Sequence, residues 1–376
     1  MKVPFFDLGA QFRTVEADVR AAMDRVLASQ GFILGPEVEA LEAQVADYCG
    51  VRHGIGVSNG SDAIVAVLMA LDIGPGDEVI VPAFTFFATA GSVARVGARP
   101  VFADILSDTF NIDPDAVADA VTERTRAIIP VHLYGQCADM DRIMAIADRH
   151  RLAVVADAAQ AIGASFNDRP VGSLGHAATL SFYPTKNLSA IGEAGMVLTG
   201  DDELAGAVRM IRHQGQSSQY EHERLGANFR LDAIQAAVLR VKMAKLGQWN
   251  DARRGHAARY DEALRESCVR PPAVDGRCRP VYHQYTVRSP KRDPLRAHLA
   301  DAGIGSAIYY PVPLHLQPAF RHLGYQRGAF AVAERAADEV LSLPIFPEMT
   351  AAQQEHVIET IRANGSCTTC RPIARK

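Results

Sequence analysis

The chain has 376 residues, 48% of them hydrophobic and 22% charged, with a formal net charge of -4. That length predicts two domains, or one large domain with an appendage, and a core able to enclose a cofactor. Acidic and basic residues are interspersed, so no nucleic-acid partner is expected. Apolar runs fall short of the roughly 20 residues that cross a bilayer, and the first residues lack a secretory pattern. A cytoplasmic protein without a membrane partner is therefore expected. The cysteines at 49, 137, 268, 278, 367 and 370 form no dense framework and read as reduced. Cys367 and Cys370 form a suggestive pair, but further ligands at comparable spacing are missing, so a polar tail and no metal are expected.

In chain order, the first chemically suggestive segment is Val57-Ser58-Asn59-Gly60-Ser61-Asp62-Ala63. It leads into an apolar helix predicted over 64–71. A Gly-Ser step at a helix N-terminus offers free N–H groups, a hydroxyl and the positive end of the helix dipole, which suits a phosphate. Ser or Asp in that place is also an ordinary cap. The turn Gly74-Pro75-Gly76-Asp77 predicts a buried strand over Glu78–Pro82. Phe84-Thr85-Phe86-Phe87 follows, and an aromatic there either stacks on a planar ring or fills the core.

Further buried strands are predicted over 100–103, 127–131 and 152–156, with helices over 87–96, 113–120 and 140–150. This alternation predicts an α/β domain with a mixed, mainly parallel sheet flanked by helices. Asp157 stands at the carboxyl end of the 152–156 strand, the edge where ligands of open α/β sheets gather. It is either a functional carboxylate or the cap of the Ala-rich stretch after it. A short strand over 178–182 then leads to Pro184-Thr185-Lys186-Asn187. A lysine amine condenses with an aldehyde, and a loop beside buried strands is a plausible anchor for one. Residues 231–266, rich in Ala, Arg, Leu and Lys, predict one or two long helices leaving the large domain. Residues 271–376 predict a smaller α+β domain. The boundary is placed between 1–240 and 241–376.

These pieces follow one another as phosphate cradle, aromatic, Asp157 and Lys186. The order and spacing resemble the DegT/StrS family of sugar aminotransferases, in the aspartate aminotransferase superfold (fold type I). The resemblance spans nearly the whole chain. It includes Phe32-Ile33-Leu34-Gly35-Pro36, Pro130-Val131-His132-Leu133-Tyr134-Gly135-Gln136, Asp157-Ala158-Ala159-Gln160, Phe182-Tyr183-Pro184-Thr185-Lys186-Asn187, Asn228-Phe229-Arg230-Leu231-Asp232 and Tyr310-Pro311-Val312-Pro313-Leu314-His315.

The resemblance implies a large domain that binds pyridoxal 5'-phosphate. Lys186 would hold the cofactor as a Schiff base and carry the catalytic proton. Asp157 would pair with the ring nitrogen, Phe86 would stack on the ring, and Gln160 would lie near the ring hydroxyl. Gly60, Ser61 and Ser181 would bind the phosphate, and Asn228 would reach it from the second subunit of a homodimer with shared sites. Tyr183, Gln219, Tyr309 and Tyr310 would meet the substrate. The implied partners are a nucleotide-linked keto sugar and glutamate or 2-oxoglutarate.

Three departures bear on the sugar. Gly192-Glu193-Ala194-Gly195 stands where many relatives read Gly-Asp-Gly-Gly. Tyr309 stands where relatives acting at sugar C3 often have a histidine, and Ser217-Ser218-Gln219 lacks a lysine that some carry. The segment 182–187 points to 3-keto-6-deoxyhexoses, with C4 or C2 keto sugars or a keto-cyclitol as alternatives. A dehydratase reading is opposed by Lys186, and a ligand-binding regulatory protein of the same fold is the non-enzymatic alternative.

Overall fold

The computed structural model describes residues 1–365, so the expectations for Cys367 and Cys370 lie outside the described residues. In chain order the elements are α1 (Leu8–Arg13), α2 (Glu16–Ser29), α3 (Pro36–Tyr48), β1 (His53–Val57), α4 (Gly60–Ala70), β2 (Glu78–Pro82), α5 (Phe87–Arg95), β3 (Arg99–Ala103), α6 (Pro114–Ala120), β4 (Thr125–Ile128), α7 (Met140–His150) and β5 (Ala153–Asp157). Then come β6 (Ser165–Phe166), β7 (Arg169–Pro170), β8 (Ala177–Ser181), β9 (Gly195–Thr199), α8 (Asp202–Arg212), β10 (Gln216–Ser218), β11 (Glu221–His222), α9 (Ala233–Met243) and α10 (Leu246–Leu264). The last part holds β12 (Cys278–Arg279), β13 (Tyr285–Arg288), α11 (Arg292–Asp301), α12 (Ala331–Glu339), β14 (Val340–Leu343) and α13 (Ala351–Gly365).

Seven strands form the main sheet in the order β1-β9-β8-β5-β4-β2-β3. Only β9 runs against its neighbours; the pairs β8/β5, β5/β4, β4/β2 and β2/β3 are parallel. This is the expected mixed, mainly parallel sheet. Successive side chains of a strand point to opposite faces. Ile80, Ile128, Val154, Ala156, Ala178 and Leu180 therefore enter one apolar layer, and Val79, Val81, Ala127, Val155 and Ala177 enter the other. A sheet covered on both sides needs such continuous apolar runs, and this is why its strands were legible in the sequence.

Two boundaries differ from expectation for simple reasons. The strand expected over 127–131 ends at Ile128, just short of Pro130, which has no N–H for a ladder. Val131 rejoins the sheet as a single bridge to Asp157. The 231–266 stretch is two helices, broken between Met243 and Leu246. α10 links two cores. Its Leu246 packs in the sheet layer, while Tyr260 and Leu264 join Tyr285, Leu295, Leu341 and Ile358 in a separate core. Val3 is in that second core and bridges to Ile304. Among the described residues, no helix is long and apolar enough to cross a membrane, and no group of three or more His, Cys, Asp or Glu is placed to hold a metal.

Candidate active site

The carboxyl ends of β5 and β8 lie side by side, because Asp157 is in register with Thr179 two residues before Ser181. α4 starts directly above them. Asn59 caps it, accepting from the Asp62 N–H at 2.9 Å. The first N–H groups of a helix have no helical acceptor, so Gly60 and Ser61 present theirs with the positive end of the dipole. Gly60 is required here by space: a Cβ on it would sit 2.7 Å from the Ser181 Cβ. Gly195 on β9 is needed for the same fit, since its Cβ would fall 2.3 Å from the Asn59 carbonyl carbon. Gly60, Ser61 and Ser181 thus form a small bowl with N–H and hydroxyl donors. Asp62, the nearby carboxylate, is turned aside: it accepts from Ser58 and Asn59 and pairs with Arg95 at 2.8 Å.

The bowl opens on a cavity of about 1000 Å³. Every site residue expected from the sequence lines it except Gln219 and Asn228. Phe86, Asp157, Gln160, Lys186, Tyr183, Tyr309 and Tyr310 are all in its wall together with Gly60, Ser61 and Ser181. Gln219 is exposed in the β10–β11 connection, and Asn228 is exposed just after it, bridged to His213.

Asp157 is buried and accepts a 2.8 Å hydrogen bond from the Thr89 hydroxyl and a 3.1 Å bond from the Ala159 N–H. Burial pushes its carboxyl above the usual range, while Thr89, Ala159 and the Lys186 charge pull the other way. Lys186 closes a turn, its N–H donating to the Tyr183 carbonyl at 2.8 Å. Burial pulls its amine down to about 8, against the attraction of Asp157. A lysine with that pKa is a much better nucleophile near neutrality than an ordinary one.

Several residues of the site had not been singled out in the sequence. Thr89 is one; nothing in its local sequence says that it will point at Asp157. Asn187, next to Lys186, is buried and donates to Asn250 at 2.8 Å and to the Val281 carbonyl at 3.1 Å. Its carbonyl oxygen therefore accepts from His283 Nδ1 at 3.1 Å. The lysine loop is pinned by residues from far along the chain. Tyr134 has left-handed backbone (φ 58°), which costs a non-glycine residue about 1 kcal/mol or more. Its N–H donates to Gln160 Oε1 at 2.6 Å, its hydroxyl to the Tyr309 carbonyl, and Gln160 Nε2 donates to the Tyr310 hydroxyl at 3.1 Å. Phe86 is 57% exposed at the start of α5, with its ring 6.1 Å from that of Tyr310.

The DegT/DnrJ/EryC1/StrS aminotransferase family matches residues 13–362. The chain belongs to this family. Its cofactor is pyridoxal phosphate, the group held in solved structures of the fold. A "pleiotropic regulatory protein" of Geobacillus stearothermophilus is 56% identical over 96% of this chain and 98% of its own length. A Streptomyces venezuelae dTDP-3-amino-3,4,6-trideoxy-alpha-D-glucose transaminase is 46% identical, covering 96% of each chain. A crystal structure of S. venezuelae DesV, with a ketimine intermediate, superimposes with a TM-score of 0.95 at 45% identity, covering 97% of this chain and 98% of that one. The residues present suit the DegT family's cofactor: a bowl of donors that no Cβ may enter, a buried carboxylate, an aromatic and an amine share one cavity.

Proposed function

We propose that this chain transfers an amino group from glutamate to a keto sugar carried on a nucleoside diphosphate, with C3 as the position aminated. The observation that carries the reading is the meeting of Asp157 and Lys186 in one cavity beneath the Gly60-Ser61-Ser181 bowl. When bound, pyridoxal phosphate supplies an electron sink for the charge left on the amino carbon. Lys186 would hold the group through its amine and would move the proton at the substrate carbon. Asp157, kept in place by Thr89 and the Ala159 N–H, holds the positive charge of the ring nitrogen. Gly60, Ser61 and Ser181 take the phosphate, Phe86 covers the ring and Gln160 lies at its edge. Tyr183, Tyr309 and Tyr310 border the remaining space for the sugar.

A homodimer in which Asn228 reaches the partner's phosphate site rests on the family resemblance; Gln219 and Asn228 are exposed and outside this cavity in the single chain. A cytoplasmic location and a division into 1–240 and 241–376 belong to the same reading. The name of the S. venezuelae transaminase supports C3. The name of the Geobacillus relative favours a regulatory role, but a ligand sensor has no need for a depressed lysine facing a buried carboxylate. The test is a panel of 3-, 4- and 2-keto sugar nucleotides and a keto-cyclitol offered with glutamate, products being read by mass and NMR. Amination at C3 is expected. A cofactor-loaded protein that aminates none of them, or only another position, overturns the reading.

A further inference from the structure

The phosphate bowl and the Lys186–Asp157 pair do not account for every ionic group in the cavity wall. Arg253, on α10, is 6% exposed and lines the same cavity. Its Nη1 donates to three backbone carbonyls, those of Ile345 at 2.8 Å, Tyr282 at 3.3 Å and His283 at 3.4 Å. Its Nε is buried and makes no hydrogen bond among the described residues. No carboxylate of the described residues lies within ion-pair distance; Glu348 attracts it only from farther away. Carbonyl dipoles hold the guanidinium in place without neutralising it. A buried cation left this way is costly unless an anion arrives to match it.

The phosphate bowl is built at the start of α4 and the end of β8, whereas Arg253 is tied to residues 282, 283 and 345. His283 connects Arg253 with the lysine loop: its Nδ1 donates to Asn187, next to Lys186, at 3.1 Å, and its carbonyl accepts from Arg253 Nη1 at 3.4 Å. A donor held beside Lys186 can therefore extend a carboxylate toward Arg253. A planar carboxylate matches the fork of a guanidinium better than any neutral sugar hydroxyl does. We propose that Arg253 receives a carboxylate of an acidic amino donor, which makes it a binding residue for the first half of the transfer. This rests on the aminotransferase reading of the cavity.

The experiment uses the cofactor-loaded protein and two probes, 2-oxoglutarate for the donor carboxylates and dTDP for the diphosphate. Arg253→Lys is expected to weaken 2-oxoglutarate binding by calorimetry at least about tenfold and to raise the KM for glutamate in step. The dTDP affinity and the visible absorbance of the cofactor are expected to stay as in the wild type. An unchanged 2-oxoglutarate affinity, or an equal loss for dTDP, overturns the proposal. If the variant does not fold, wild-type crystals soaked in 2-oxoglutarate decide: a carboxylate on the Arg253 guanidinium supports it, and a carboxylate elsewhere or none refutes it. A wild type that binds 2-oxoglutarate at Arg253 but aminates no keto sugar would leave the Arg253 site standing and sink the reaction assigned above.

Discussion

Asp157 ends one strand of a sheet buried on both faces and Lys186 lies on the loop that follows another, whereas Gln219 and Asn228 lie on an exposed hairpin and the stretch after it. The first pair is fixed by the fold of a single chain. Its carboxylate has two hydrogen-bond donors, and its lysine loop is tied down through Asn187. The second pair is exposed: Asn228 is held through its backbone bridge to His213, and Tyr220 next to Gln219 is 86% exposed. The contrast separates residues that one chain brings into a single cavity from residues whose proposed role depends on a second copy.

The largest effect should come from the buried side of this comparison. Lys186→Ala is expected to lower turnover by about 10^3-fold or more and to abolish the visible absorbance change on adding pyridoxal phosphate. A spectrum like that of the wild type would refute the anchoring role. Asp157→Asn keeps the shape and removes the charge, so turnover should drop by about 10^2-fold or more while cofactor still binds. Near-normal turnover would mean that the carboxylate is only a cap. On the exposed side, Lys186→Ala and Asn228→Ala protomers should each be impaired. Mixing them after verified subunit exchange should restore about a quarter of the sites, those made of two unaltered halves. No recovery would confine each site to its own chain.

Smaller effects sharpen the buried half. Thr89→Val removes one donor from Asp157 and should cost about tenfold in turnover, roughly 1.4 kcal/mol, with little change in cofactor affinity. An equal loss in both would make Thr89 a packing residue. The smallest expected signal is a shift in pH. A protonated amine cannot add to an aldehyde, so capture of pyridoxal phosphate by the cofactor-free protein should speed up as pH rises through about 8. The ordinary lysine value is about 10.4. Stopped-flow absorbance across pH 6 to 11 checks this, with Lys242→Arg as control because burial also lowers that α9 amine to about 8; a midpoint near that of free lysine would show that burial does not tune the Lys186 amine.

The same contrast describes what the sequence could tell. Strands such as Glu78–Pro82 and the ends carrying Asp157 and Ser181 were legible because burial on both faces writes itself as unbroken apolar runs. Lys186 stood out through its neighbours rather than by itself. Thr89, Asn187, His283 and Arg253 were not legible, because their roles arise from segments far apart in the chain meeting across α5, the lysine loop and α10. The three helices before β1 were also missed. In α2 the apolar stripe Val19, Ala22 and Val26 is built largely from small residues, packed on the alanines of α9, and gives a weak pattern. Gln219 and Asn228 could be named only by resemblance, since an exposed polar residue carries no physical mark of a partner.

The Gln160 side chain has one further consequence. Its oxygen takes the Tyr134 N–H and its nitrogen holds the Tyr310 hydroxyl, while Tyr134 reaches on to the Tyr309 carbonyl. One amide thus ties the Tyr134 backbone to the Tyr310 side of the cavity wall. A lineage that drifts toward a new sugar by exchanging Tyr310 would also strand a donor at the ring. If Gln160 lies at the cofactor ring and Tyr310 at the sugar, as proposed, substrate preference and catalytic rate would change together, and a swap at Tyr310 would be tolerated best when Gln160 changes with it.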